Sequence, residues 1–219
     1  VEFVDGSKTM VEMCAIANAT GLVPDVPGMH GPSADRDEMA RVLIPREDGG
    51  ILHKSGVVDF TIGKGVAPGV FVIVKAEHPR IIERMDDLHI GRGPYYSFFR
   101  PYHLTSLEVP LTCARIMLQG KPDMVPLPTP VAEVCAVAKR DLAPGETFDA
   151  IGETCYRSFT MTITDSRAQN AVPVGLLEGG RVTAPVKKGE LLTTANSQPD
   201  TTTRLWALRQ AQDEMLGLL

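Results

Sequence analysis

Two stretches of this chain gather side chains able to do chemistry. The first is residues 5–12, "DGSKTMVE". A lysine at the mouth of a helix, beside carboxylates, can donate a proton or hold an anionic substrate. Asp5 and Glu12 can instead bind a divalent ion through their oxygens. The bland alternative is a solvated ion pair between Lys8 and Glu12, one helical turn apart, contributing roughly a few tenths of a kcal/mol.

The second stretch is residues 92–110, "RGPYYSFFRPYHLTSLEVP". Aromatic residues make up only 5% of the chain, yet Tyr95, Tyr96, Tyr102 and the Phe98-Phe99 pair all fall here, with Arg100 and His103 threaded among them. Tyrosine offers an apolar body with a polar tip, and arginine a planar fork suited to carboxylate or phosphate. Gly93-Pro94 and Arg100-Pro101 fix the backbone around them. The pattern fits a pocket wall that grips an anion, or an aromatic core edge from which Arg100 reaches solvent. His30, in "GMHGP", lies in a Gly/Pro loop of the kind that carries binding residues; the alternative is a surface or hydrogen-bonded histidine. His53, His78 and His89 show no ligand spacing and are assigned nothing. "IGKGVAPG" has the spacing G-x-G-x-x-x-G and leads into a strand, which makes it a hairpin loop and not a pyrophosphate cradle.

The elements that must position these residues follow from pattern. Residues 1–4 read as a strand end, with Asp5, Gly6 and Ser7 as turn and cap before a helix over 8–20. Met10, Met13, Cys14 and Ala17 give that helix a core face. Asp35 and Glu38 resemble a capping box for a short helix ending before Pro45. "GVVDFTI" and "GVFVIVK" predict a pair of strands. Pro79 opens a helix through residue 88. Leu104, Leu107, Leu111 and Leu118 recur at helical spacing up to Gly120, with Pro110 forcing a late start or a kink. Four prolines in residues 120–130, "GKPDMVPLPTP", make a stiff linker. Short β-type runs with turns at Pro144-Gly145, Gly179-Gly180 and Lys188-Gly189 predict a small all-β domain. A last helix, capped by Asp200 or a following threonine, carries an apolar stripe of Leu205, Leu208, Met215 and Leu219.

Composition bounds the function. The 219 residues suffice for a real core, and 43% apolar with 22% charged residues is ordinary for a globular protein. A net charge of −5 argues against a nucleic-acid partner, and no run is long enough to span a membrane. The four cysteines form no C-x-x-C pair, so a reducing cytoplasm is the expected compartment. The sequon at Asn18 reads as coincidence. The chain lacks a starting methionine and opens in a strand, which suggests a fragment that has lost something upstream.

Three longer motifs carry a resemblance. "DGSKTMVEMCAIANATGLVPDVPGMHGP", "GVVDFTIGKGVAPGVFVIV" and "GPYYSFFRPYHLTSLEVPL" resemble homoserine-dehydrogenase-like oxidoreductases with a C-terminal SAF domain, among them the 1-deoxy-D-xylulose 5-phosphate reductoisomerase-like (DRL) enzymes. "VAEVCAVAKRDLAPGETFDAIG" and "VPVGLLEGGRVTAPVKKGELLT" resemble their SAF, or β-clip, module. The resemblance implies an α+β chain: an α/β catalytic, dimerisation-type domain over 1–126, a small all-β SAF domain over 127–200, and a C-terminal helix over 201–219. It also implies an NADPH-dependent oxidoreductase or reductoisomerase of isoprenoid precursor synthesis, acting on a small anionic sugar such as 1-deoxy-D-xylulose 5-phosphate. NADPH would be bound by an N-terminal Rossmann domain absent here, leaving this portion inactive alone. Asp5, Lys8 and Glu12 would line the reacting end, by proton transfer or by holding a divalent metal. Arg100, Tyr102 and His103 would hold anionic or hydroxyl groups, with His30 a further candidate. A homo-oligomer is expected. The Asp-x-x-x-Lys signature of homoserine dehydrogenase itself is not found, which counts against homoserine as substrate. The alternative class is a non-catalytic SAF-type sugar-binding or assembly module.

Overall fold

The computed structural model describes residues 6–102 and 104–218. In chain order the elements are α1 (Ser7–Thr20), β1 (Val23–Pro24), α2 (Met39–Val42), a 3-10 turn (Arg46–Asp48), β2 (Val57–Val58), β3 (Gly69–Lys75), α3 (Pro79–Asp87) and β4 (Tyr95–Pro101). There follow α4 (Thr105–Gln119), β5 (Ala132–Ala138), β6 (Tyr156–Thr162), α5 (Ile163–Ala168), a second 3-10 turn (Val174–Leu176), β7 (Arg181–Val182), β8 (Ser197–Gln198) and α6 (Arg204–Met215). Helices mixed with two-stranded sheets make the chain α+β. It divides into two compact units, residues 1–29 with 126–219, and residues 30–125. The strand end expected over 1–4, and Leu219, lie outside the described residues.

In the first unit, α1 buries Ser7, Met10, Cys14 and Ala17, the three-and-four spacing of one helical face. That face lies on the antiparallel hairpin β5–β6. The polar residues of β6 explain why. Ser158 N–H donates to Ser7 Oγ at 3.0 Å, and the Thr160 hydroxyl donates to the Met10 carbonyl at 2.7 Å. The helix that precedes the long middle segment therefore packs with the C-terminal β-rich part of the chain. Gly28 shows how closely its trailing loop approaches. Its φ is 79°, and a Cβ there would sit 2.2 Å from the Phe159 ring.

Asn18 ties α1 to the start of β5 on both sides of its amide. Its Oδ1 accepts from Val131 N–H at 2.8 Å and Ala132 N–H at 3.0 Å, and its Nδ2 donates to the Ala132 carbonyl at 3.1 Å. Asn18→Ala leaves two backbone donors without that acceptor, at a cost of about 1–3 kcal/mol. Chemical denaturation reads this as a lower midpoint with an unchanged slope.

The core of the same unit collects Ala136, Leu142, Phe148, Tyr156, Leu177 and Leu192 among other fully covered side chains. Phe148 and Tyr156 meet edge to face, 5.9 Å between centroids. The last helix departs from its expected packing. Thr203 caps it, accepting from Trp206 N–H, but Leu205, Leu208 and Met215 of the apolar stripe are exposed. Charge docks it instead. Arg209 pairs with Glu133 of β5 and with Asp213, and Arg167 of α5 also pairs with Asp213. Asp213 is 4% exposed, so these guanidinium partners are what make its burial tolerable.

The second unit corrects one pairing. Residues 56–62 and 69–75 do not form the predicted strand pair. β3 pairs with β4, from Gly69 opposite Pro101 to Lys75 opposite Tyr95. Both are seven-residue runs rich in β-branched and aromatic residues, and their unbroken antiparallel match outcompetes the 56–62 run, which Asp59 interrupts. Residues 59–64 are zipped to the His30 loop instead. Ala34 N–H donates to the Ile62 carbonyl, Ile62 N–H to Pro32, and Arg36 N–H to Lys64. Asp35 N–H donates to Glu38 Oε2, but the predicted capping box does not form, because Asp35 Oδ1 accepts from Lys64 N–H instead and α2 begins only after Glu38. Pro110 sits inside α4, which starts at Thr105 and ends against Gly120 (φ 63°).

Candidate functional site

The residues singled out in the sequence fall in both units. On α1, the Lys8 ammonium lies 3.6 Å from the Glu12 carboxylate, with side chains 53% and 52% exposed. Helical spacing places the two one turn apart on the face opposite Met10 and Cys14, so they face water while the helix is anchored by its core side. Asp5 lies outside the described residues.

The aromatic stretch separates into several roles. Tyr96 is fully buried, and its hydroxyl donates to Asp86 Oδ1 at 2.7 Å beneath α3. Burial, with Asp86 beside it, pushes the phenol up to about 12. This one residue fulfils the core-edge reading. Tyr95 turns the other way, donating to Asp48, which also takes the Lys75 ammonium at 2.8 Å. The ammonium and the phenol hold the Asp48 carboxyl below its usual range. Arg36 lies over the Phe99 ring, 4.4 Å from its centroid.

Arg100, at the end of β4, forms an ion pair with Glu108 in the first turn of α4. Glu108 also accepts from Leu104 N–H at 3.0 Å, so the carboxylate caps α4 while it holds the guanidinium. An anionic ligand at Arg100 competes with Glu108 for it. Tyr102 is 60% exposed with φ 65°, and its N–H donates to the Pro68 carbonyl at 3.0 Å. His103 lies outside the described residues.

His30 is held with more care than its sequence context suggested. Both oxygens of Asp59 are spent on backbone donors: Oδ2 accepts from His30 N–H at 3.0 Å, and Oδ1 from Gly31 at 2.9 Å and Phe60 at 2.8 Å. His53 comes alongside, with ring centroids 5.8 Å apart and planes inclined by 34°. Sequence spacing missed His53, because it stands 23 positions beyond His30, past α2 and the first 3-10 turn. The one available signal was Asp59 itself, a lone acid inside the apolar run "VVDFT". Such a residue in a β-type run is commonly there for backbone hydrogen bonds.

Residues 1–109 match the family model described as Oxidoreductase DRL, catalytic domain. The match supports a DRL-like oxidoreductase. It spans Lys8, Glu12, His30, His53, Arg100 and Tyr102, and stops within α4. No curated protein matches the chain. Among the described residues, no helix is long and apolar enough to cross a membrane.

Proposed function

We propose that this chain is the catalytic and SAF portion of a DRL-like, NADPH-dependent oxidoreductase or reductoisomerase acting on a phosphorylated or acidic sugar such as 1-deoxy-D-xylulose 5-phosphate. The family match over residues 1–109 carries the reading. Bound NADPH supplies the hydride. The glycine-rich "IGKGVAPG" leads into β3 and not into a helix, so these residues do not suit a dinucleotide, and a domain other than the two units would hold it. Residues 127–200, with their β5–β6 and β7–β8 pairs, are assigned to the SAF module.

In this reading Lys8 moves the proton at the reacting end. Glu12, one turn on, pairs with its ammonium until substrate arrives. Arg100 and Tyr102 take the anionic and hydroxyl groups, with Arg100 exchanging Glu108 for the ligand. A divalent ion at Asp5 and Glu12 belongs to the same reading, and it must displace the Lys8 ammonium from Glu12. NADPH oxidation is the test, assayed with the protein that carries this chain and any encoded upstream domain. 1-Deoxy-D-xylulose 5-phosphate and a set of sugar acids serve as substrates. Oxidation with one of them supports the reading; binding without oxidation favours the sugar-binding module.

The functional unit in this reading is a homo-oligomer. On β3–β4, Val70, Val72 and Phe98 are exposed. Cross-strand pairing puts Val72 opposite Phe98 on one face of a two-stranded ribbon that is marginal by itself. On α4, Leu107, Leu111, Ile116, Met117 and Leu118 are 46% exposed or more. An apolar helix exposed all round calls for a partner surface. Leu111→Glu with Val72→Glu should convert the assembly to monomer in light scattering. An unchanged mass in the double variant rejects these faces as the interface.

A further inference from the structure

We propose that His30 and His53 form a two-imidazole site for a divalent transition-metal ion of the zinc class. A ring nitrogen of His30 and one of His53 lie within 4.8 Å of each other. Zinc binds imidazole nitrogen at roughly 2.0–2.1 Å, so tetrahedral ligand nitrogens stand about 3.3 Å apart. His53 is exposed, and a swing of its ring closes that gap.

Both histidines sit on backbone that is built, not loose. Under His30, the two oxygens of Asp59 hold the N–H groups of His30 and Gly31, with Phe60 N–H on the same carboxylate, and the 32–36 segment of the loop is zipped to residues 61–64. Gly31 (φ 51°) lies so close to Phe60 that a Cβ would meet its ring at 2.3 Å, which fixes how the loop turns after His30. Beside His53, Leu52 is buried, donates its N–H to the Ile44 carbonyl and accepts from Arg46 N–H. Two hydrogen-bonded stems thus hold the backbones of two imidazoles within reach of one ion, leaving only the His53 ring to turn.

Two protein nitrogens leave coordination positions for water or for substrate oxygens, as in an open site that polarises an oxygen. Imidazole selects zinc, copper, nickel or iron, whereas the carboxylates of Asp5 and Glu12 suit magnesium, calcium or manganese. The two candidate sites are therefore chemically distinct.

The test is titration of the EDTA-stripped chain with Zn²⁺ by calorimetry, and with Co²⁺ followed by its visible d–d bands. All variants carry Cys113→Ser, because Cys113 is an exposed thiol and a competing ligand. His30→Ala and His53→Ala should each weaken Zn²⁺ binding by more than about tenfold and abolish the Co²⁺ bands. His78→Ala and His89→Ala should leave both unchanged, and Mg²⁺ should not bind in place of Zn²⁺. Unchanged affinity in His53→Ala, or an equal loss in His78→Ala, overturns the proposal. Melting of the metal-free variants separates ligand loss from unfolding. If His30→Ala fails to fold, the exposed His53 variant decides.

Discussion

Arg209→Ala should destabilise the first unit by about 3–5 kcal/mol, because it strands Glu133 and leaves the buried Asp213 with a single cation. For a chain of this length that is roughly a 6–20 °C fall in melting temperature. Arg209 is 16% exposed on its side chain, Glu133 16% and Asp213 6%, so water cannot replace the lost guanidinium. Arg167 still reaches Asp213 at 2.8 Å, but Glu133 gains nothing from it. The single tryptophan of the chain, Trp206, lies on α6 one turn before Arg209, and its fluorescence reports undocking of that helix directly. Arg140→Ala, which breaks the exposed pair with Glu146, should barely move the same melt. Equal effects of the two substitutions would mean that α6 is not docked by charge. A simultaneous Arg209→Met, Glu133→Leu, Asp213→Leu variant should recover much of the loss, since it removes all three of the less exposed charges and leaves only Arg167, 38% exposed on its side chain, to turn to water.

Lys8→Ala should lower kcat by about 10²–10⁴, the range of a positioned proton donor or acceptor. It should do so without unfolding the chain. The Lys8–Glu12 pair is half exposed and one turn apart, the class of ion pair that contributes least to stability. The helix is held from its other side by Met10, Cys14, Ala17 and Asn18. Lys8→Arg distinguishes the two possible roles of the ammonium. It keeps the positive charge but does not give up its proton. Activity retained in Lys8→Arg marks an electrostatic role, and activity lost in both variants marks proton transfer.

Much of the frame was legible from local pattern. The core face of α1 is a run of three-and-four spacings, and Pro79 at a helix start and Gly120 at a helix end each carry their own local chemistry. What stayed hidden depended on partners distant in sequence. Residues 69–75 read as one strand of a hairpin with their preceding neighbour, yet they pair with residues 95–101 across an intervening helix. Leu205, Leu208 and Met215 announced an apolar docking face for α6. The face that docks is instead Arg209 and Asp213, because Glu133 and Arg167 await them on β5 and α5. At the candidate site, chemistry-bearing residue types were visible but their engagements were not. Nothing in "RPYHLTSLE" says that Arg100 is already held by Glu108, and nothing in the spacing of His30 and His53 brings their rings together. Periodicity reports which face of an element is apolar. It does not report which opposite charge or second imidazole arrives from elsewhere.

The oxidoreductase reading is tested most directly by the rate of NADPH oxidation with 1-deoxy-D-xylulose 5-phosphate, measured side by side for the wild-type protein and Lys8→Ala. The account predicts steady oxidation by the wild type and a rate at least about a hundredfold lower in the variant. Equal rates in the two proteins, or no oxidation with this or any sugar acid, would contradict it.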